Sequence, residues 1–518
     1  MKTKSIYALS LAVVLFTACS DNFLNREPQG ETLTENQYKN LDDMLEGTVR
    51  GLWSKFYEYS DHSDFGVRSI DLHTDIFAGD VAMASNAYGW YRTDEQGLTY
   101  AYERTTIWYF YYNIVRLCNL TLNLVDEETI QLSSDMDKMQ AVNAYYYAQL
   151  RAIRGWCYAN LMKYYVEVGA ENTENGIPYY SEQDVDELGA ERLLVGDVYA
   201  RIDQDLSTAV LYLSYPKVLA NVTRESKFEF DADVARLVLA YSYLNRGGAE
   251  NADLAFKYAK DAIDNAKYNI LPHSELFSTG FADITSTNWL WGKDVTTDNE
   301  TALGSFYGQV DIHTYSYAWA GDTKSIDDAL YKQITDKGWD DRANWFRNVG
   351  SYKLVPDRKF YSPAYANSTS TVDRDWLCDD VWMRMELAYL IGAEAALTRT
   401  NISTDTALLY LDAIMSERII EGKEADYQAY KATLTDVASL TAALIYNWRV
   451  EMWGEGYSLQ TLRRIEQSRT LGSNHQFRGG NTLNASSPIF TFQIPSSEYH
   501  YNPFMGESDT KELKRYNK

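Results

Sequence analysis

No phosphate-cradling Gly-x-x-x-x-Gly-Lys-Ser/Thr loop, no Gly-x-Ser-x-Gly elbow and no His-Glu-x-x-His helix occurs in the sequence. Each is a fixed-spacing device, so P-loop phosphoryl transfer, elbow-type serine hydrolysis and zinc proteolysis lose their sequence basis. Histidine is scarce. His62, His73, His273, His313, His475 and His500 are scattered, and no two lie close enough along the chain to form a local pair of metal ligands. Cysteine is scarcer still, with four residues in no Cys-x-x-Cys spacing. Once Cys19 is set aside, the odd remainder of Cys118, Cys157 and Cys378 cannot all pair in an exported protein, so they read as small buried hydrophobes. Positive charge is also in short supply. A formal net charge of −25 disfavours nucleic acid and anionic membrane surfaces as partners and suits a neutral ligand. Spatial triads leave no local trace, so these absences lower the expectation of an enzyme without excluding one. No catalytic residue and no cofactor is assigned.

The one long apolar run, at 6–16, follows Lys2 and Lys4 and precedes Thr17-Ala18-Cys19. It is too short to remain as a spanning helix and reads as an export leader over 1–18. Small residues directly before Cys19 resemble a bacterial lipobox, although Phe16 stands where Leu is usual. That resemblance implies acylation of Cys19, with 19–34 as a tether that holds the protein on a membrane without a spanning segment.

With 45% hydrophobic residues, a chain of 518 can bury a large core. Apolar residues recur at three and four over 35–59, 104–125, 139–165, 195–213, 231–244, 252–266 and 381–398, which predicts amphipathic helices. Their pairing and their alanine-rich contact positions look like a degenerate tetratricopeptide-type array without strict 34-residue spacing. The expected organisation is one domain over 35–518, with helical scaffold at 35–59, 104–266 and 381–468.

Two stretches break the helical rhythm, 60–102 and 270–380. The first carries Tyr88, Trp90, Tyr91 and Arg92. The second begins near Ile270 and holds Trp289, Trp291, Tyr315, Tyr317 and Trp319. Long irregular segments with large rings suit ligand recognition. Aromatics form 14% of the chain, with 42 tyrosines and 13 tryptophans, and amphipathic rings either cover sugar faces or fill gaps between helices.

The segment 449–464 reads as helix, hinge and helix, with Gly454 and Gly456 bracketing Glu455. Glu451 and Glu455, four apart, repel on a regular helix, so they call for arginine partners among Arg449, Arg463, Arg464 or a distant residue. A glycosidase acid-base pair needs opposed carboxyls across a cleft, which neighbours on one helix rarely supply; a buried clamp is the favoured reading. Glu394, on the apolar stripe of its helix, calls for a similar Glu-Arg clamp.

Arg449, Glu451, Gly454, Glu455, Gly456 and Arg464 resemble the C-terminal signature of the SusD/RagB family, the surface-exposed nutrient-binding lipoproteins of Bacteroidetes outer membranes. Ser458 and Thr461 stand where many members carry Arg and Asp, so both halves of an ion pair are replaced together and no orphan charge remains. Phe23-Leu24 after Cys19, Arg151 and Arg154, Gly176-Ile177-Pro178, Asp205-Leu206, Ala393-Glu394-Ala395, Arg418 and Ile494-Pro495 extend the resemblance along the mature chain. It implies a mostly α, SusD-like fold and a lipid-anchored protein displayed at the outer-membrane surface. The implied function is capture of an oligosaccharide or polysaccharide and its delivery to a SusC-like TonB-dependent transporter, with no covalent step. The expected ligand-binding residues are Tyr88, Trp90, Tyr91, Arg92, Trp289, Trp291, Tyr315 and Trp319. A peptide-capturing RagB-like protein, a helical scaffold that binds only protein, and a surface glycosidase are the alternatives.

Overall fold

The computed structural model describes residues 41–97, 102–278, 281–362 and 376–506. The leader, Cys19 and the tether therefore lie outside the described residues. Helix α1 (Leu41–Lys55) buries Met44, Leu45, Val49, Leu52 and Trp53 along one stripe. It stops before 59 because Phe56 and Tyr57 fold into a turn on Trp53 and Ser54, and the Phe56 carbonyl then accepts Val67 N–H at 2.8 Å. That turn releases Tyr59 to the surface.

Helix α2 (Val67–Ala78) and strand β1 (Val81–Met83) follow, inside the stretch where the sequence shows no helical rhythm. The helix is buried on nearly every side, and the buried Arg68, His73 and Asp75 interrupt its apolar pattern. A single-turn helix α3 (Arg92–Glu95) leads towards α4 (Tyr102–Leu122) and α5 (Lys138–Tyr165), the latter opened by a reciprocal cap between Asp137 and Gln140. After the hairpin β2 (Asn175–Pro178) and β3 (Arg192–Leu194) come α6 (Val195–Leu213), α7 (Ala232–Arg246) and α8 (Ala249–Asp264).

The middle of the chain holds β4 (Trp289–Lys293), α9 (Phe306–Val310), β5 (Lys324–Ile326), α10 (Asp328–Lys337) and the hairpin β6 (Phe346–Val349) with β7 (Tyr352–Pro356). Strand β8 (Asp380–Arg384) pairs antiparallel with β4. The sequence places 381–384 at the start of a helix, but their amides and carbonyls are taken by β4, and α11 (Glu386–Thr398) begins only after Met385. Helices α12 (Thr404–Met415), α13 (Val437–Glu451), α14 (Ser458–Ile465) and α15 (Ser496–Tyr501) complete the order.

The helices pack as successive neighbours: α4 on α5, α5 on α6, α6 on α7, α7 on α8, α8 on α11 and α11 on α12. Fully buried alanines at Ala235, Ala240, Ala255, Ala259, Ala393 and Ala396 let the axes approach closely. The mostly α architecture expected from periodicity is thus present, with five separate two-stranded pairs among the described residues. No helix among the described residues is long and apolar enough to cross a membrane.

The hinge 452–457 is the electrostatic centre. Glu451 lies 3.0 Å from Arg342, 2.8 Å from Arg384 and 3.0 Å from Arg418, all fully buried. Glu455 pairs with Arg384 and Lys359, each at 2.8 Å. Glu386 completes the set, 3.1 Å from both Arg384 and Arg418. Burial alone raises a carboxyl's pKa, but Arg418, Arg384 and Arg342 outweigh it and hold Glu451 well below the usual carboxylate range. The partners are therefore distant arginines. Arg449 serves Asp80 instead, at 2.7 Å, while Arg464 clamps Glu394 at 2.8 Å. Ser458 donates its hydroxyl to Asp80 at 2.6 Å. Gly456 sits at φ +79°, where an added Cβ would stand 2.1 Å from Asp71 Oδ1.

Candidate functional site

Strands β1 and β5 run antiparallel, with Val81 opposite Ile326, Ala82 opposite Ser325 and Met83 opposite Lys324. The chain leaving β1 and the chain entering β5 therefore share one end of the ladder, and segments 84–91 and 315–323 meet there. Ala84 N–H donates to the Thr323 carbonyl at 3.1 Å, the Ser85 hydroxyl to the Gly321 carbonyl at 2.7 Å, and Tyr88 N–H to Asp322 Oδ1 at 2.8 Å.

Rings converge on that junction. Tyr317 is central, its ring 4.9 Å from His62, 5.2 Å from Tyr88 and 6.0 Å from Trp90. His62 also packs 5.4 Å from Trp90 and 5.4 Å from Tyr59. Tyr315 and Trp319 form an adjoining pair at 5.3 Å, and the Trp319 carbonyl accepts the Tyr352 hydroxyl. Tyr59 is 44%, Tyr88 54% and Trp319 38% exposed, and the other rings are half-buried, so the cluster offers ring surface to solvent.

A buried polar relay fixes the floor. The Lys324 ammonium donates to Gln309 Oε1 at 2.7 Å, and Gln309 donates to the His62 carbonyl. Lys324 and Gln309 are wholly buried, and burial pushes the Lys324 ammonium down to about 7. His73 holds the rim by contacting the Ser63 carbonyl at 2.8 Å and Asp94 at 2.7 Å.

The residues expected to bind ligand part company here. Tyr88, Trp90, Tyr315 and Trp319 reach the same face. Tyr91 does not: it adopts φ +61°, turns inward to 1% exposure and packs 4.5 Å from His73. A left-handed non-glycine residue costs of order 1–3 kcal/mol, offset here by burial of the ring. Arg92 is exposed but lies over Phe477, 5.2 Å from that ring. Trp289 and Trp291 are core residues, fully or almost fully buried, so neither indole presents a face to a ligand. Trp291 donates its indole N–H to the Phe228 carbonyl at 2.7 Å and packs on Trp53, Trp156 and Trp382. The uninterrupted apolar run Trp289-Leu290-Trp291 was the available signal for a strand buried on both faces. Tyr59 and His62 were missed: one lies at the end of a helical pattern and the other has no motif around it. Within the cluster, the Asp322 carboxylate is buried and accepts the Tyr88 amide through Oδ1. The arrangement presents ring faces to solvent.

Serial helix pairs thus carry an irregular, ring-lined face. The family described as "Starch-binding associating with outer membrane" matches residues 20–239. A SusD-like protein of Bacteroides ovatus is 25% identical over 284 residues, 53% of this chain and 46% of that protein, so the match spans just under half of the curated relative's length. A crystal structure of a SusD-like carbohydrate binding protein from Bacteroides vulgatus superposes with a TM-score of 0.71 at 19% identity, covering 92% of this chain and 99% of that one. A SusD homolog from Bacteroides thetaiotaomicron gives a TM-score of 0.67 at 15% identity, covering 92% and 99%. Over residues 20–239 the chain is similar to the SusD-like family, and its fold is that of the solved SusD-like structures.

Proposed function

We propose that this protein is a cell-surface glycan-binding lipoprotein which captures oligosaccharides on the Tyr88–Trp90–Tyr317–Trp319 face and passes them to a SusC-like TonB-dependent transporter. The observation that carries the reading is the exposed ring cluster assembled by β1 and β5 from two distant segments. Aromatic faces cover the apolar faces of sugar rings, while flanking hydroxyls and amides bond the sugar edges. A neutral glycan also suits an acidic chain. Acylation of Cys19 supplies the anchor at the outer membrane, and capture needs no covalent step, so the protein is not an enzyme.

Affinity electrophoresis of a soluble form beginning at Ser20 against plant, host and microbial polysaccharides tests this directly. At least one glycan is expected to retard the protein. Trp90→Ala or Trp319→Ala is expected to weaken retention about 10- to 100-fold, the loss of roughly 1.4–3 kcal/mol that central aromatic contacts carry. Retention by no glycan, or retention unchanged in both variants, would overturn the reading and shift weight to peptides.

A further inference from the structure

The helical scaffold carries a second concavity that shares no residue with the ring cluster. It is an open groove of about 630 Å³, within the size range of small-ligand sites, between α5, α6 and the segment joining β2 to β3. Arg151 and Arg154 face it from α5, Arg201 and Gln204 from α6, and Tyr179 and Glu182 from the connecting segment.

The two arginines of α5 differ in one respect. Arg154 is saturated: it holds Asp205 with two bonds of 2.8 Å, Asn119 Oδ1 at 2.8 Å, and Glu182 at 2.5 Å. Arg151 is only 7% exposed and lies 5.7 Å over the Tyr147 ring, yet its polar contacts are a single approach of Nε to Asp205 at 2.7 Å and a 3.9 Å separation of NH1 from Glu182, beyond hydrogen-bond reach. Its terminal N–H groups make no hydrogen bond among the described residues and line the groove. A buried guanidinium normally satisfies its donors, so this one is set to receive an acceptor from outside.

The rest of the lining states what that acceptor belongs to. Glu182, Asp184, Glu187 and Glu191 outnumber the arginines, which disfavours a carboxylate, sulfate or phosphate. Tyr179 is half-buried, stacked on Tyr158 at 4.4 Å with Arg201 at 6.0 Å, and contributes a ring to the wall. Donors, acceptors and a ring without net positive charge suit a neutral, hydroxyl-rich molecule. A second hollow of about 300 Å³ lies on the other side of the same segment, shares Asp184 and Glu187, and is lined by Tyr109, Tyr112 and Tyr180. Two hollows flanking one strip of chain fit an extended ligand.

We propose that this groove is a second saccharide site, taking a neutral oligosaccharide whose hydroxyls accept from Arg151 and whose ring lies on Tyr179. The inference rests on the reading of the protein as a glycan binder, but it assigns a separate locus. The test is hydrogen-exchange mass spectrometry on the full-length chain in detergent, with maltoheptaose, xylohexaose and mannohexaose added in turn. Protection of 179–191 by at least one of them is expected, retained in a Trp90→Ala, Trp319→Ala double variant. Arg151→Gln is expected to weaken that protection at least about tenfold in saccharide concentration, the equivalent of one lost charge-assisted bond. Arg201→Ala with Gln204→Ala, on the exposed rim, is expected to act in the same direction without touching the Asp205 clamp. Protection confined to 84–91 and 315–319 would overturn the second site and leave the first standing. Protection of neither region would overturn both. Protection of 179–191 by a co-purified membrane protein, and by no saccharide, would make the groove a protein-docking surface and equally overturn the proposal.

Discussion

Replacing Glu451 by glutamine tests the assignment of the signature carboxylates to structure. Glu451 Oε1 accepts from Arg384 at 2.8 Å and Arg418 at 3.0 Å, and Oε2 accepts from Arg342 at 3.0 Å and Arg418 at 3.1 Å. Glutamine keeps one acceptor and turns an amide NH₂ towards a guanidinium, leaving buried positive charge uncompensated. Breaking one partner of a buried ion pair costs about 3–5 kcal/mol, because the surviving charges remain desolvated. At roughly 2 cal/mol/K of unfolding entropy per residue, a chain of 518 unfolds with about 1 kcal/mol/K, so the midpoint should fall by about 3–5 °C. Differential scanning calorimetry reads this shift. Glycan retention below the midpoint should be unchanged, since the network touches no residue of the ring cluster among the described contacts. A midpoint within about 1 °C of wild type would refute the energetic argument. Abolished binding or turnover in a fully folded variant would refute the structural assignment and revive a catalytic one.

Three further outcomes follow from particular residues. His475 is buried 3.2 Å from Glu95 and 3.3 Å from Asp327; burial opposes its charge, but those carboxylates outweigh it and hold the imidazole up to about 9. Because the folded value lies above the unfolded one, its stabilisation is complete below about pH 6.5 and fades as pH rises towards 9, so the stability advantage over His475→Gln should shrink by about 3 kcal/mol across that window in paired denaturant titrations. Gly456→Ala meets both a left-handed backbone and Asp71, and should lose at least about 2 kcal/mol in urea unfolding. Gly47→Ala, on the exposed side of α1 with nothing within 4 Å of the new Cβ, should instead gain about 0.5–1 kcal/mol in the same assay.

The scaffold was legible because its helices expose one face and bury the other, which writes period 3.6 into Val198, Ile202, Leu206 and Ala209. Helix α2 was illegible for the opposite reason. It is enclosed on almost all sides, and its buried Arg68 and Asp75 reach partners far along the chain, Gly454, Gly456 and Ser458, while the buried His73 contacts Ser63 and Asp94. The signature carboxylates were read correctly as clamped, but the arginines they hold come from β8 and from the 3₁₀ turns Asp341–Trp345 and Ser416–Arg418, and nothing local names them. At the ring cluster, composition drew attention to two segments that meet in the structure and could not sort their rings. Trp90 and Tyr91 are neighbours in sequence and part at a single left-handed turn. Trp319 lies on a loop at the surface, while Trp291 sits in a strand paired with β8, and only the pairing separates them.

The strand pair of β1 and β5 has a consequence for how such a protein diversifies. It fixes the ring-bearing segments through main-chain pairing of three residues on each side, and main-chain pairing is indifferent to what the tips beyond it carry. Tyr88 and Trp319 can therefore be exchanged for other side chains while the frame beneath them keeps its register. The tips are thus open to change at the cost of a few surface substitutions, with the helical array and its buried charges left as they are.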